Sequence, residues 1–165
     1  MNNGPHHAYH DPRAAFEDAL TDQVIGRRVV AALIDFVANA ALVGVFIVMG
    51  TIFGIITFGF GFGVFILLPV IPVLYNWLFV ASMSATPGQR LLGLVVRRND
   101  DLGPPGNAEA LVWALGFALT LTLTFGLLWL LVVLLTERKR ALHDILPGLV
   151  VVRADVMSDA ASWRR

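Results

Sequence analysis

Residues 26–50 form an apolar run that opens with Arg27 and Arg28 and carries one acid, Asp35, in its middle. Between Val29 and Met49 only Asp35 is charged and only Asn39 is an uncharged polar residue, and about 20 such residues suffice to cross a bilayer as a helix. A carboxylate inside such a helix costs roughly 2.5 to 3.5 kcal/mol to insert, so it marks a place where something polar is held. Arg28 and Asp35 lie about two turns apart on one helix face, with Asn39 about one turn further on. Ala31, Ala32 and Ala38 flank that face and allow a second helix to approach closely. Arg28 can extend its stem to the headgroups, whereas Asp35 cannot, so Asp35 requires a partner, a water-filled cavity or a proton.

The rest of the chain agrees with a membrane setting. Of 165 residues, 57% are hydrophobic and 15% charged, and the mean hydropathy is +0.74, outside the range of a soluble domain. The expected fold is an all-α integral membrane protein, with two full transmembrane helices at about 29–50 and 62–81. A third apolar segment at 110–135 is spanning or re-entrant. No cysteine is present, which excludes disulfides and thiolate chemistry. Residues 1–23 read as a polar N-terminal tail with a short surface helix, and His6, His7 and His10 beside Asp11 read as a solvated tract rather than a metal site. The first apolar run comes too late for a cleavable signal peptide and is expected to stay as an anchor.

Residues 51–63 carry Gly54, Gly59, Gly61 and Gly63 and read as a tight turn or a partly embedded connection. Pro69 and Pro72 predict a kink in the second span. Run antiparallel to the first span, that helix brings Tyr75 and Asn76 to the depth of Asp35 as candidate partners. Residues 82–109 are the one sizeable hydrophilic connection, with Arg90, Arg97 and Arg98. The arginine distribution places the N-terminus and this loop in the cytoplasm, with the protein in the inner (plasma) membrane.

Two Val-rich stretches, 92–97 and 149–153, predict a small cytoplasmic β pair, because a lone strand is unstable. That pairing constrains the third run. One crossing would put residues 137–140, a basic cluster, and the second strand on the outside, while two crossings need about 40 residues against the roughly 26 present. A bent or re-entrant hairpin near Phe125 and Gly126 returns the C-terminus to the cytoplasm, and ordinary single spanning is the alternative. Residues 24–153 then form one membrane domain, and 154–165 read as a polar, frayed tail.

At Ala141, Leu142, His143 and Asp144 a second acid appears beside basic residues. Together with Arg28 through Asp35, and with Thr86-Pro87-Gly88-Gln89-Arg90 leading into Leu94-Val95-Val96, the chain resembles the RDD family of small multi-pass bacterial membrane proteins, named for one arginine and two aspartates. The resemblance covers 26 to about 153. It departs at Gln89, where the family commonly has lysine, and at Leu149, where threonine is common.

The resemblance implies a membrane module without an agreed activity, for which transport has been suggested. No glycine loop for nucleotides, no metal-ligand pair and no nucleophile with a base argues for an enzyme, and no cofactor is expected. Two functions stay open. In one, Asp35 takes up a proton, cation or small solute, aided by Asn39, Tyr75 or Asn76. In the other, Arg28, Asp35 and Asp144 form a fixed network in a membrane scaffold, with Asp144 held by Arg28 or Arg90. Expected partners are the lipid bilayer, a second copy, or another membrane protein, and no nucleic acid.

Overall fold

A computed structural model describes residues 16, 19–20, 23–124 and 142–162. The first helix, α1, runs from Val24 to Ile56 and holds 33 residues, about 50 Å at 1.5 Å per residue. It begins before the predicted boundary and continues past Gly50. Of the glycines that suggested a turn, Gly59 makes one, whereas Gly54 is a place of close approach, as is Gly50 before it. A Cβ on Gly50 would meet the Phe65 ring at 2.5 Å, and one on Gly54 would meet the Phe62 ring at 2.4 Å. Those rings belong to a 3-10 segment, Phe60–Leu67, that folds back along α1 after a turn at Gly59, where φ is 102°. The gaps at Gly50 and Gly54 on α1 are thus filled from within the chain.

Helix α2 spans Val70–Met83 and meets the 3-10 segment at a 45° bend, at the position of Leu68 and Pro69. The kink expected from the prolines is present, and the second predicted span is two pieces rather than one continuous helix. α1 alone is long and apolar enough to cross a bilayer among the described residues, and the bent pair makes a second only if counted as one span. A short helix α3, Pro87–Leu91, then lies against α1. Strand β1, Leu94–Arg98, follows, and α4, Asn107–Thr124, packs on α2. The break near Phe125 and Gly126, the basic cluster at 137–140 and the later part of the third run lie outside the described residues.

The chain is described again at α5, Leu142–Ile145, which packs against α4, so that His143 lies 3.1 Å from a Cβ placed on Gly116. Strand β2, Leu149–Arg153, pairs antiparallel with β1 in the register Leu94 to Arg153 through Arg98 to Leu149. The predicted strand pair is therefore present. Its two faces alternate as a pleat requires. Leu94, Val96, Leu149 and Val151 pack on Val24, Val80, Ala110 and Trp113, and each large apolar side chain buried this way contributes roughly 1.5 to 3 kcal/mol.

The opposite face, Val95, Val150 and Val152, is covered by Phe16 and Leu20 and by Val156 and Met157. Phe16 and Leu20, from the segment expected as a short surface helix, pack on the sheet. One expectation is corrected. The tail is not frayed from 154 onward but forms helix α6, Ala154–Ser162, because a two-stranded sheet exposes a second apolar face that something must cover. The result is a polar-ended cap at the Val24 end of α1, and the acids and arginine of interest lie where cap and helices meet.

Candidate functional site

Asp35 is buried on α1, and its two carboxylate oxygens receive three hydrogen bonds. The Tyr75 hydroxyl donates to Oδ1 at 2.9 Å, the Gly88 N–H donates to the same oxygen at 2.8 Å, and the Thr86 hydroxyl donates to Oδ2 at 2.5 Å. Tyr75 comes from α2 at the depth the antiparallel arrangement predicts. Thr86 and Gly88 come from the start of α3, which is organised by its own capping box. The Gln89 N–H donates to Thr86 Oγ1 at 3.2 Å, and the Thr86 N–H donates to Gln89 Oε1 at 3.0 Å, with Pro87 in the first turn.

Gly88 makes this approach sterically feasible. A Cβ there would stand 2.2 Å from the Ala31 carbonyl oxygen and 2.8 Å from Asp35 Oδ2, so only glycine lets the α3 backbone reach the carboxylate. The departure at Gln89 is consistent with the cap, since its side-chain oxygen accepts a bond that a lysine could not accept.

A second cluster forms around Asp144. Arg28 Nη2 lies 2.5 Å from Asp144 Oδ2, and Trp113 Nε1–H donates to Asp144 Oδ1 at 2.8 Å. Both ends of the ion pair are buried, Asp144 completely. His143 Nε2 is 3.5 Å from Asp144 Oδ1, and its ring meets Trp113 and Phe117 edge-on at 5.2 and 5.1 Å. Burial pushes the His143 imidazole down to about 4, with Arg28 acting in the same direction and Asp144 opposing. It is therefore neutral at pH 7, and its Nδ1 has no hydrogen-bond partner among the described residues.

The two clusters border one cavity of about 20 Å³, lined by Arg28, Asp35, Asn76, Thr86, Gln89 and His143 among others. That is room for about one water molecule. No group of three His, Asp or Glu residues able to hold a metal occurs among the described residues, and His6, His7 and His10 lie outside them.

The structure thus sorts the sequence candidates. Arg28, Asp35, Tyr75 and Asp144 are joined, but Arg28 and Asp35, although on one face, bind different partners. Asn76 lines the cavity and donates to the Pro72 carbonyl at 2.8 Å rather than to Asp35. Asn39 donates to the Asp35 carbonyl at 2.9 Å, a bond within its own helix. Arg90 points elsewhere, with Nη1 2.9 Å from Met83 Sδ, and Arg28 is the arginine that holds Asp144.

Thr86, Gly88, Gln89, Trp113 and His143 were not singled out by charge or hydropathy. For the first three a signal existed, because Thr-Pro-Gly-Gln has the spacing of a capping box with proline at the first helical position. Nothing local to Trp113 marks it, and His143 stands out only as the neighbour of Asp144 in the motif that carries the resemblance. A family model described as the RDD family matches residues 23–148. No curated protein and no solved structure matches the chain.

Proposed function

Because the chain belongs to the RDD family, whose members are associated with membranes, we propose that it is a non-transporting membrane scaffold and not an enzyme. In this reading the arginine and two aspartates pin the cap onto the helices, and the assembled surface is offered to a membrane protein partner or a second copy. The observation that carries the reading is the engagement of both Asp35 oxygens by donors of this chain. Three donors from this chain already occupy its oxygens, and the neighbouring guanidinium is committed to Asp144. A working carboxylate of a transporter needs room and unsatisfied oxygens for its cargo, whereas a cavity of about 20 Å³ admits about one water.

The same reading includes a multi-pass topology in the inner membrane, with the N-terminus and residues 82–109 cytoplasmic. It is supported by Arg27, Arg28, Arg90, Arg97 and Arg98, all at one end of the apolar helices. The C-terminal strand pairs with β1 and so shares that side.

The test compares wild type, Asp35→Asn and Asp35→Leu in proteoliposomes for proton and cation flux, with thermal stability measured on the same preparations. The scaffold reading expects no flux in any of them, a modest loss of stability for Asp35→Asn and poor assembly for Asp35→Leu. Flux in the wild type that disappears in a fully stable Asp35→Asn protein would overturn it and make Asp35 the working group of a transporter.

A further inference from the structure

Three of the six arginines of the described residues are answered by a carboxylate, and Arg97 on β1 is one of the three that are not. Arg28 pairs with Asp144, Arg98 with Asp101 and Arg153 with Asp155. Arg27 and Arg90 have no carboxylate partner among the described residues, and the fold brings both to one turn. Arg27 Nη1 donates to the Leu92 carbonyl at 3.3 Å and would lie 3.6 Å from a Cβ on Gly93. Arg90 leaves the same turn two residues earlier, and its own carbonyl accepts the Gly93 N–H at 3.2 Å, closing the end of α3. Leu91 in the same turn is 74% exposed, and Met83, against which Arg90 rests, is 48% exposed.

The level of this turn relative to the bilayer follows from α1. Its outward apolar surface begins at Val29 and Val30, immediately after the arginines, and runs to Ile56. That length exceeds the roughly 30 Å hydrocarbon core, so the helix tilts and its Arg27 end emerges at the headgroups. α3 lies alongside α1 from Asp35, at Gly88, down to Arg27, at Gly93. An exposed leucine in a turn at headgroup height, beside two guanidiniums that have no carboxylate among the described residues, suits a phosphate joined to acyl chains. Arginine presents paired N–H groups to two phosphate oxygens at once.

We propose that Arg27 and Arg90, flanking exposed Leu91 at the end of α3, form a binding site for the phosphate headgroup of an anionic phospholipid. The site lies outside the Asp35 and Asp144 clusters and does not depend on whether the chain transports anything. Its function would be to set the depth of the cap and to favour anionic membranes.

The experiment uses the full chain in nanodiscs of phosphatidylcholine with increasing phosphatidylglycerol. Retained phosphatidylglycerol is counted by native mass spectrometry after gentle release, and thermal stability in pure phosphatidylcholine checks folding. Wild type should retain the anionic lipid. Arg27→Gln and Arg90→Gln should each weaken retention about fivefold, and the double variant by the product of the two, as expected for one surface charge each. Arg27→Lys keeps the charge without the paired donors and should lose part of the binding, and Arg90→Gln carries the test if Arg27→Gln fails to fold.

Arg98→Gln is the control, because Arg98 is exposed but already paired with Asp101. If Arg98→Gln lowers retention as much as the other two, the effect belongs to diffuse basic charge and the proposed site is wrong. Equal retention of phosphatidylcholine and phosphatidylglycerol by wild type overturns it as well. Displacement of the lipid by millimolar inorganic phosphate would show that the acyl layer contributes nothing, and would also count against it.

Discussion

Arg28 and Asp144 stand 116 residues apart in the chain and meet through a 2.5 Å charge-assisted bond, with both side chains buried. This bond fastens α5, and with it β2, to the start of α1. Because the pair is out of water, its two halves depend on each other more than the chain depends on the pair. Asp144→Asn should leave the buried Arg28 charge without its carboxylate and destabilise the protein by about 3 to 5 kcal/mol. The double variant Arg28→Gln, Asp144→Asn should be less damaging than Asp144→Asn alone. Thermal denaturation in detergent measures both, and a double variant no better than the single would mean that the pair does not act as a unit.

Asp35 should respond differently to asparagine and to leucine. Asparagine keeps one oxygen for Gly88 and Tyr75 and gives an amide that Thr86 Oγ1 can accept. The expected cost is about 1 to 2 kcal/mol. Leucine leaves two hydroxyls and an N–H without an acceptor, for a cost of about 3 to 5 kcal/mol and loss of assembled protein. Size-exclusion profiles and unfolding temperatures distinguish the two, and equal behaviour would contradict the hydrogen-bond assignment.

Gly88→Ala tests the docking of α3 separately from charge. The added methyl meets the Ala31 carbonyl at 2.2 Å, so α3 must lift off α1 and withdraw its N–H from Asp35. A destabilisation of about 1 to 3 kcal/mol is expected, with faster proteolysis near Arg90. Unchanged cleavage there would show that α3 is not held by this contact.

His143 makes stability fall with acid. Its folded value is about 4 against an ordinary 6.5, so between those values the unfolded chain binds the proton and the folded chain does not. Stability from this group is therefore fully present above about pH 6.5 and is lost progressively as pH falls towards 4, by about 3 kcal/mol in all. His143→Gln should flatten the curve in that window. Unfolding temperatures measured from pH 7.5 to 4 check this, and an identical slope in the variant would assign the acid sensitivity elsewhere.

Much of this protein was determined locally, by hydropathy, proline position and β-propensity. A long run free of charge except Asp35 can bury its backbone in lipid only as a helix, so α1 was legible, as was the bend at Pro69. The pairing of 149–153 with β1 was legible because an isolated strand has nowhere to place its backbone groups. The length of α1 was misread at Gly50 and Gly54. Glycine lowers helix propensity along the chain, whereas here its missing side chain admits Phe65 and Phe62, a gain that exists only once those rings arrive.

The partners of the acids were the tertiary structure's to decide. Helix geometry put Arg28 and Asp35 on one face but could not say that each would turn to a different segment, Arg28 to Asp144 and Asp35 to Thr86 and Gly88. A hydrogen bond needs two groups within about 3 Å, and spacing along one helix says nothing of what another part of the chain brings to that distance. The same holds for His143, whose neutrality comes from Trp113, Phe117 and burial rather than from its neighbours in sequence. Which residues had to be satisfied inside a membrane protein follows from their polarity alone, and only packing chose what satisfies them.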